Sequence, residues 1–143
     1  MHRAQQILDS LYNQLSVLIT NGDIKELHTS SAEPPRIYPS LVLSMGSDDV
    51  LSESVNYLNM SLAVSTDIVI TSNSTDLDRD CLNIRVEVHK AIMSDRQLGL
   101  PFVINTKFTG QSEPEHKGDA DTYAAYMRLS WQVDYRTHIG DQT

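Results

Sequence analysis

The sequence predicts an α+β fold: a mainly antiparallel sheet with long strands, and two amphipathic helices packed on it. Two stretches carry the sheet. In 122–137, Tyr123, Ala125, Met127, Leu129, Trp131, Val133 and Tyr135 fall on one parity, while Arg128, Ser130, Gln132, Asp134 and Arg136 fall on the other. Successive strand side chains point to opposite faces, so this stretch has one face toward a core and one toward water or a partner. In 57–72 the pattern repeats, with Leu58, Met60, Leu62, Val64, Ile68 and Ile70 alternating with Asn59, Ser61, Ser65, Asp67 and Thr71. Thr66 interrupts the apolar side and Ala63 and Val69 soften the polar one, which predicts a bulge or bend in mid-strand. The third observation is a pair of stripes at spacings of three and four, one at each side of the second strand.

The first stripe is Ala4, Ile7, Leu8, Leu11, Leu15, Leu18 and Ile19, which predicts a single helix ending at Asn21 and Gly22. After it, 24–27 reads as a short strand and 30–35, with Pro34 and Pro35, as loop. Leu41, Val42 and Leu43 predict a brief buried strand before turn-like Gly46, Ser47, Asp48 and Asp49. Thr75 and Asp78 have the spacing of a helix cap, and Leu77, Cys81, Ile84, Val88, Ala91 and Ile92 form the stripe of the helix that follows. Leu82, Val86 and Met93 fall roughly opposite that stripe, so a second apolar side must meet the first helix or another subunit. A third strand is expected over 102–109, with Phe102, Ile104, Thr106 and Phe108 on one face and Gly110 ending it. The stretch 111–121, carrying Glu113, Glu115, Asp119 and Asp121, reads as a long acidic loop.

At 143 residues, one domain with one core is expected, with no support from disulfides since Cys81 is the only cysteine. No apolar run approaches the roughly 20 residues that span a bilayer. The first ten residues lack the apolar centre of a secretory signal, so an intracellular protein is expected. A net charge of -8 opposes any grip on nucleic acid through phosphates, but suits a surface past which a polyanion must slide. Strands of about fifteen residues would span roughly 50 Å, against about 40 Å for a compact body of this size. Either bulges bend them or part of the sheet projects as an arm, and an unpaired arm favours self-assembly.

Signatures of catalysis are weak. Asp76, Asp78, Asp80 and Glu87 match the acidic positions of a calcium loop, but Cys81 stands where the sharp turn needs glycine. The five histidines include no pair at the i, i+4 spacing that holds a metal, and His89 reads as a core or interface residue. There is no phosphate-binding glycine loop and no serine nucleophile elbow, and Cys81 lies on a buried stripe. No cofactor, no metal and no enzymatic activity are expected.

Three segments carry a resemblance: Arg36-Ile37-Tyr38-Pro39, then Val88 through Asp95 (VHKAIMSD), then Met127 through Thr137 (MRLSWQVDYRT). Together they resemble tail terminator proteins of tailed bacteriophages, the minor tail protein U-like family. The resemblance implies a hexameric ring that caps the finished tail tube, ends its polymerisation and offers the surface to which a head-completion or neck protein docks. Its expected partners are further copies of itself, the tail tube protein and the neck protein. DNA would pass through without specific binding, no membrane is involved, and the place is the virion tail at the head–tail junction after assembly in the host cytoplasm. On this reading Asp48, Asp49, Glu113, Glu115, Asp119 and Asp121 are expected to face the lumen or the tube. Leu82, Val86, Met93, Tyr126, Arg128, Gln132, Asp134 and Arg136 are expected at the subunit interface. The rivals are a head-completion or neck ring protein and, from another class, a small acidic metal-binding or enzymatic α+β domain.

Overall fold

A computed structural model describes residues 2–29, 37–71, 77–118 and 123–140. The order is α1 (Arg3–Leu15), α2 (Val17–Asn21), β1 (Glu26–Thr29), β2 (Ser40–Glu53), β3 (Tyr57–Thr71), α3 (Leu77–Met93), β4 (Val103–Gln111), β5 (Glu115–Gly118) and β6 (Tyr123–His138). The strands form one sheet in the order β1-β2-β3-β6-β4, with β5 added beside β6. All pairs are antiparallel except β1 with β2. The α+β class and the mainly antiparallel sheet are therefore as the pattern predicts.

The helices lie on one face. The buried parity of β6 is the predicted one, from Ala125 to Tyr135, and it meets the α3 stripe of Leu77, Cys81, Ile84, Val88, Ala91 and Ile92. Ile7, Leu11 and Leu15 of α1 complete this core with Leu41, Leu43, Leu62 and Ile68 of the sheet. The expected cap of α3 at Thr75 lies outside the described residues. No helix among those described is long and apolar enough to cross a membrane.

Several expected boundaries are corrected. The N-terminal stripe is two helices, because Ser16 closes α1 and its Oγ donates to the Asn13 carbonyl oxygen at 2.7 Å. The chain restarts as α2, which buries Leu18 and leaves Ile19 exposed. Gly22, at φ +83°, ends it in the left-handed conformation that glycine adopts without strain.

β2 does not stop at Leu43. Gly46 and Ser47 form a bulge, since the register passes from Met45 opposite Val64 to Asp48 opposite Leu62. A Cβ on Gly46 would lie 3.2 Å from that of Ala63, so the close approach accounts for the glycine that reads as a turn. A second shift falls between Val50 and Ser52. The bend expected in β3 thus belongs to its neighbour, and β3 pairs with β6 without a shift from Tyr57–His138 to Thr71–Ala124. Thr66 sits inward on β3 because its Oγ1 accepts from Trp131 Nε1 at 3.0 Å, both groups buried.

β4 also departs from expectation. A register shift between Val103 and Asn105 reverses its parity, so Val103 and Thr106 point inward while Ile104 is half exposed. Gly110 does not end the strand; it takes φ +152° beside a second shift, and pairing continues to Gln111. The expected long loop contains β5, held in line with β4 by Ser112, whose N–H donates to the Arg128 carbonyl oxygen at 2.9 Å. Both proposed solutions to strand length are present: bulges bend β2, and the β2–β3 hairpin projects, since every residue of 49–57 is exposed on both parities.

Candidate functional site

The face of the sheet opposite the helices is polar, and its side chains are tied to one another. Arg128 meets Asp67 as a fork, Nε to Oδ1 at 2.9 Å and Nη2 to Oδ2 at 3.1 Å. That hydrogen-bonded pairing, with the charge of Asp67, raises the Arg128 pKa further. Gln132 Nε2 donates to Ser61 Oγ, Arg136 Nε to Asn59 Oδ1 at 3.1 Å, and Asn59 Nδ2 to Ser52 Oγ at 2.8 Å. Lys107 Nζ lies 3.1 Å from Asp134 Oδ2, while Asp134 Oδ1 is buried with no hydrogen-bond partner. Tyr126, Arg128, Gln132, Asp134 and Arg136 thus share one face, as their parity predicts. The β3 partners of Arg128, Gln132 and Arg136, 61 to 77 residues away in sequence, leave no local signal.

The three apolar residues singled out on α3 do not act together. Leu82 and Val86 are exposed one turn apart, whereas Met93 packs against the core. Between these sides, the Arg85 guanidinium lies 4.9 Å from the Phe108 ring centroid and its Nη1 donates to Gln111 Oε1 at 2.6 Å. His89 stands edge-on to Phe108 at 5.5 Å and beside Trp131 at 5.6 Å, an aromatic packing role.

The acidic positions fall into separate places. Asp48 turns to the helix side, where its Oδ2 accepts from Tyr135 Oη at 2.6 Å. Burial first, then this carboxylate, pushes the Tyr135 pKa up. Asp49 is exposed opposite Ser61, and Ser47 Oγ donates to it at 3.3 Å. Glu113 and Glu115 are exposed past the end of β4, on the other side of the β3–β6 pair. Asp119 and Asp121 lie outside the described residues, as does Asp76. The described acidic positions are therefore not one cluster: two strands stand between them.

Sequence reasoning missed the hairpin tip. Val50, Leu51 and Val55 are 57%, 56% and 92% exposed, and Tyr57 and Ile139 stand beside them. The C-terminal end of β6 reaches this tip, where Ile139 N–H donates to the Asn56 carbonyl oxygen at 3.2 Å and His138 stacks on Tyr57 at 5.0 Å. The available signal was Val50-Leu51 and Val55 within an otherwise polar stretch.

For chemistry the described residues offer little reactive material. Burial, then the charges of Asp78 and Asp80, lifts the Cys81 thiol to about 11, which suppresses the thiolate at neutral pH. No group of three His, Cys, Asp or Glu side chains among the described residues could hold a metal ion. A concavity of about 320 Å³ beside the polar face is lined by Asp67, Ser112, Glu115, Tyr126, Met127 and Arg128 and is open to solvent. The molecule presents surfaces: a pre-organised polar sheet face, an apolar tip and two exposed positions on α3.

The chain matches no family model and no curated protein. Among solved structures it is similar to a chain from the virion of a native gene transfer agent particle, with a TM-score of 0.59 at 14% identity. The match covers 88% of this chain and 91% of that one, so nearly the whole of both shares one fold.

Proposed function

We propose that this chain is a structural, non-enzymatic component of a virion, and within that class a tail terminator. The observation that carries the coarser reading is the fold held in common, over nearly the full length of both chains, with a component of a virion particle. The finer reading is supported by the sequence resemblance at Val88–Asp95 and Met127–Thr137 and by a molecule whose exposed features are surfaces of assembly. Six copies form a ring on the end of the tail tube, halt addition of tube protein and receive the neck protein on the opposite side. The net charge of -8 lets DNA cross the ring without being held. Asp49 on β2 and Glu113 in the connection between β4 and β5, both exposed, are the described acidic positions best disposed toward the lumen or the tube.

Purified protein added to growing tail tubes tests this. Tubes should stop at a shorter mean length as the protein concentration rises, and labelled protein should mark one end only. Tubes that lengthen unchecked would remove the termination role. Protein that leaves growth unchanged and binds only the head side of finished tails would move the chain to the neck.

A further inference from the structure

β1 pairs with β2 only from Ser40 to Leu43, so among the described residues the outer edge of β2 is open over 44–53. At the far side of the sheet β4 is terminal, and no strand among those described pairs with its outer edge over 103–111, though Val103 N–H is held by the Leu100 carbonyl oxygen and the Thr106 carbonyl oxygen by Arg96 Nε. Open edges of this length are templates for strand addition unless something covers them. The two differ in length by a single residue and neither contains proline, which would interrupt a ladder.

Their charges are opposite. The β2 edge carries Asp48, Asp49 and Glu53 and no Lys or Arg. The β4 edge carries Lys107, whose ammonium is shared with Asp134 of β6 at 3.1 Å, and no carboxylate of its own; two further cations flank it, Arg96, whose Nε reaches the Thr106 carbonyl oxygen at 3.4 Å, and Arg85, bonded to Gln111. Apolar side chains are exposed on both, Val50 and Leu51 on one and Ile104 on the other. Direction fits too. β2 and β4 run opposite ways in the sheet, so a copy rotated about an axis along the strands brings its β4 antiparallel to β2 of its neighbour. Such a contact is head-to-tail, uses different surfaces on the two copies and closes into a ring when the rotation does. The bulges of β2 bend the edge, so an added sheet turns from copy to copy and does not run on flat.

We infer that copies of this chain join edge to edge, the open edge of β2 in one pairing antiparallel with the open edge of β4 in the next. This rests on the ring reading above and names its contact. Sedimentation of the full chain tests it with two charge-reversed variants, Asp49→Lys/Glu53→Lys and Arg96→Glu/Lys107→Glu. Each alone should self-associate on the order of tenfold more weakly than the parent. Mixed in equal amounts they should assemble again, because reversed β2 then meets reversed β4 while native edges meet in the alternate contact. Circular dichroism melting checks that each variant is folded. Independently, Val50→Cys/Ile104→Cys treated with a short bis-maleimide should give a ladder of covalent multimers, and either single variant no more than dimers, Cys81 being buried. If the variants associate like the parent, or the double cysteine chain gives no ladder, edge pairing is wrong while the ring survives. If the parent chain stays monomeric at every concentration and beside tail tubes, both fall.

Discussion

The β3–β6 pair is one uninterrupted ladder, yet its two halves live in different surroundings. From Leu62 to Ile70 it is covered by α1 and α3, and its inward side chains are buried. From Tyr57 to Asn59 burial falls away: Tyr57 is exposed, Leu58 and Asn59 are only partly buried, and the helices reach this end through Arg3 of α1, which donates to the Arg136 carbonyl oxygen opposite Asn59. Backbone pairing alone therefore does not mark what stabilises this molecule; coverage does. The largest effect is expected at Trp131, fully buried, bonded to Thr66 and in contact with Phe108 at 5.0 Å and His89. Trp131→Ala should lower unfolding free energy by about 3–5 kcal/mol, read from the urea midpoint. A loss below about 1 kcal/mol would mean the covered half is not the stabilising one.

Alkaline titration probes the same half. The Cys81 thiol, raised from 9.0 to about 11, is neutral in the fold when its unfolded counterpart has begun to ionise. Its contribution is complete below pH 9 and is lost as pH rises to about 11, a change of about 2–3 kcal/mol over that window. Cys81→Ala should flatten the fall in urea midpoint between pH 8.5 and 10.5. Tyr135, also raised, steepens the fall above pH 10 in both chains alike, so the difference between them isolates the thiol. Parallel curves for the two chains would refute a protected thiol.

Thr66 bears on how far such contacts can be read from sequence. A hydroxyl in an apolar parity reads as a defect, but it is the acceptor for an indole N–H 65 residues away. Thr66→Val keeps the shape and leaves that donor without a partner, so a loss of about 1–2 kcal/mol is expected by urea unfolding. The parity of β6 and the stripe of α3 were legible because burial imposes a period on every residue of a covered element. Gly46-Ser47-Asp48-Asp49 was not, since a bulge places two residues opposite one and borrows the composition of a turn. The same offset hid the parity of β4, and the acidic composition of 111–121 hid β5. On the open face, the β6 residues were legible as a set, while Asp67, Ser61 and Asn59, which hold them, belong to a strand whose pairing no local pattern announces.

The smallest effect sharpens the contrast most, because it applies one substitution to both halves. Val64 is 2% exposed on the covered part of β3 and Val55 is 92% exposed at the tip. Val64→Ser removes buried methyl groups and adds a hydroxyl without a partner, a cost of about 2–4 kcal/mol. Val55→Ser exchanges one solvated side chain for another, so its urea midpoint should stay within about 0.5 kcal/mol of the parent. The tip is then free of any role in stability, and an apolar side chain kept there contributes to contact with something outside the protomer. A Val55→Ser chain destabilised by more than about 1 kcal/mol would place the tip against its own body instead, and the hairpin would cease to be an arm.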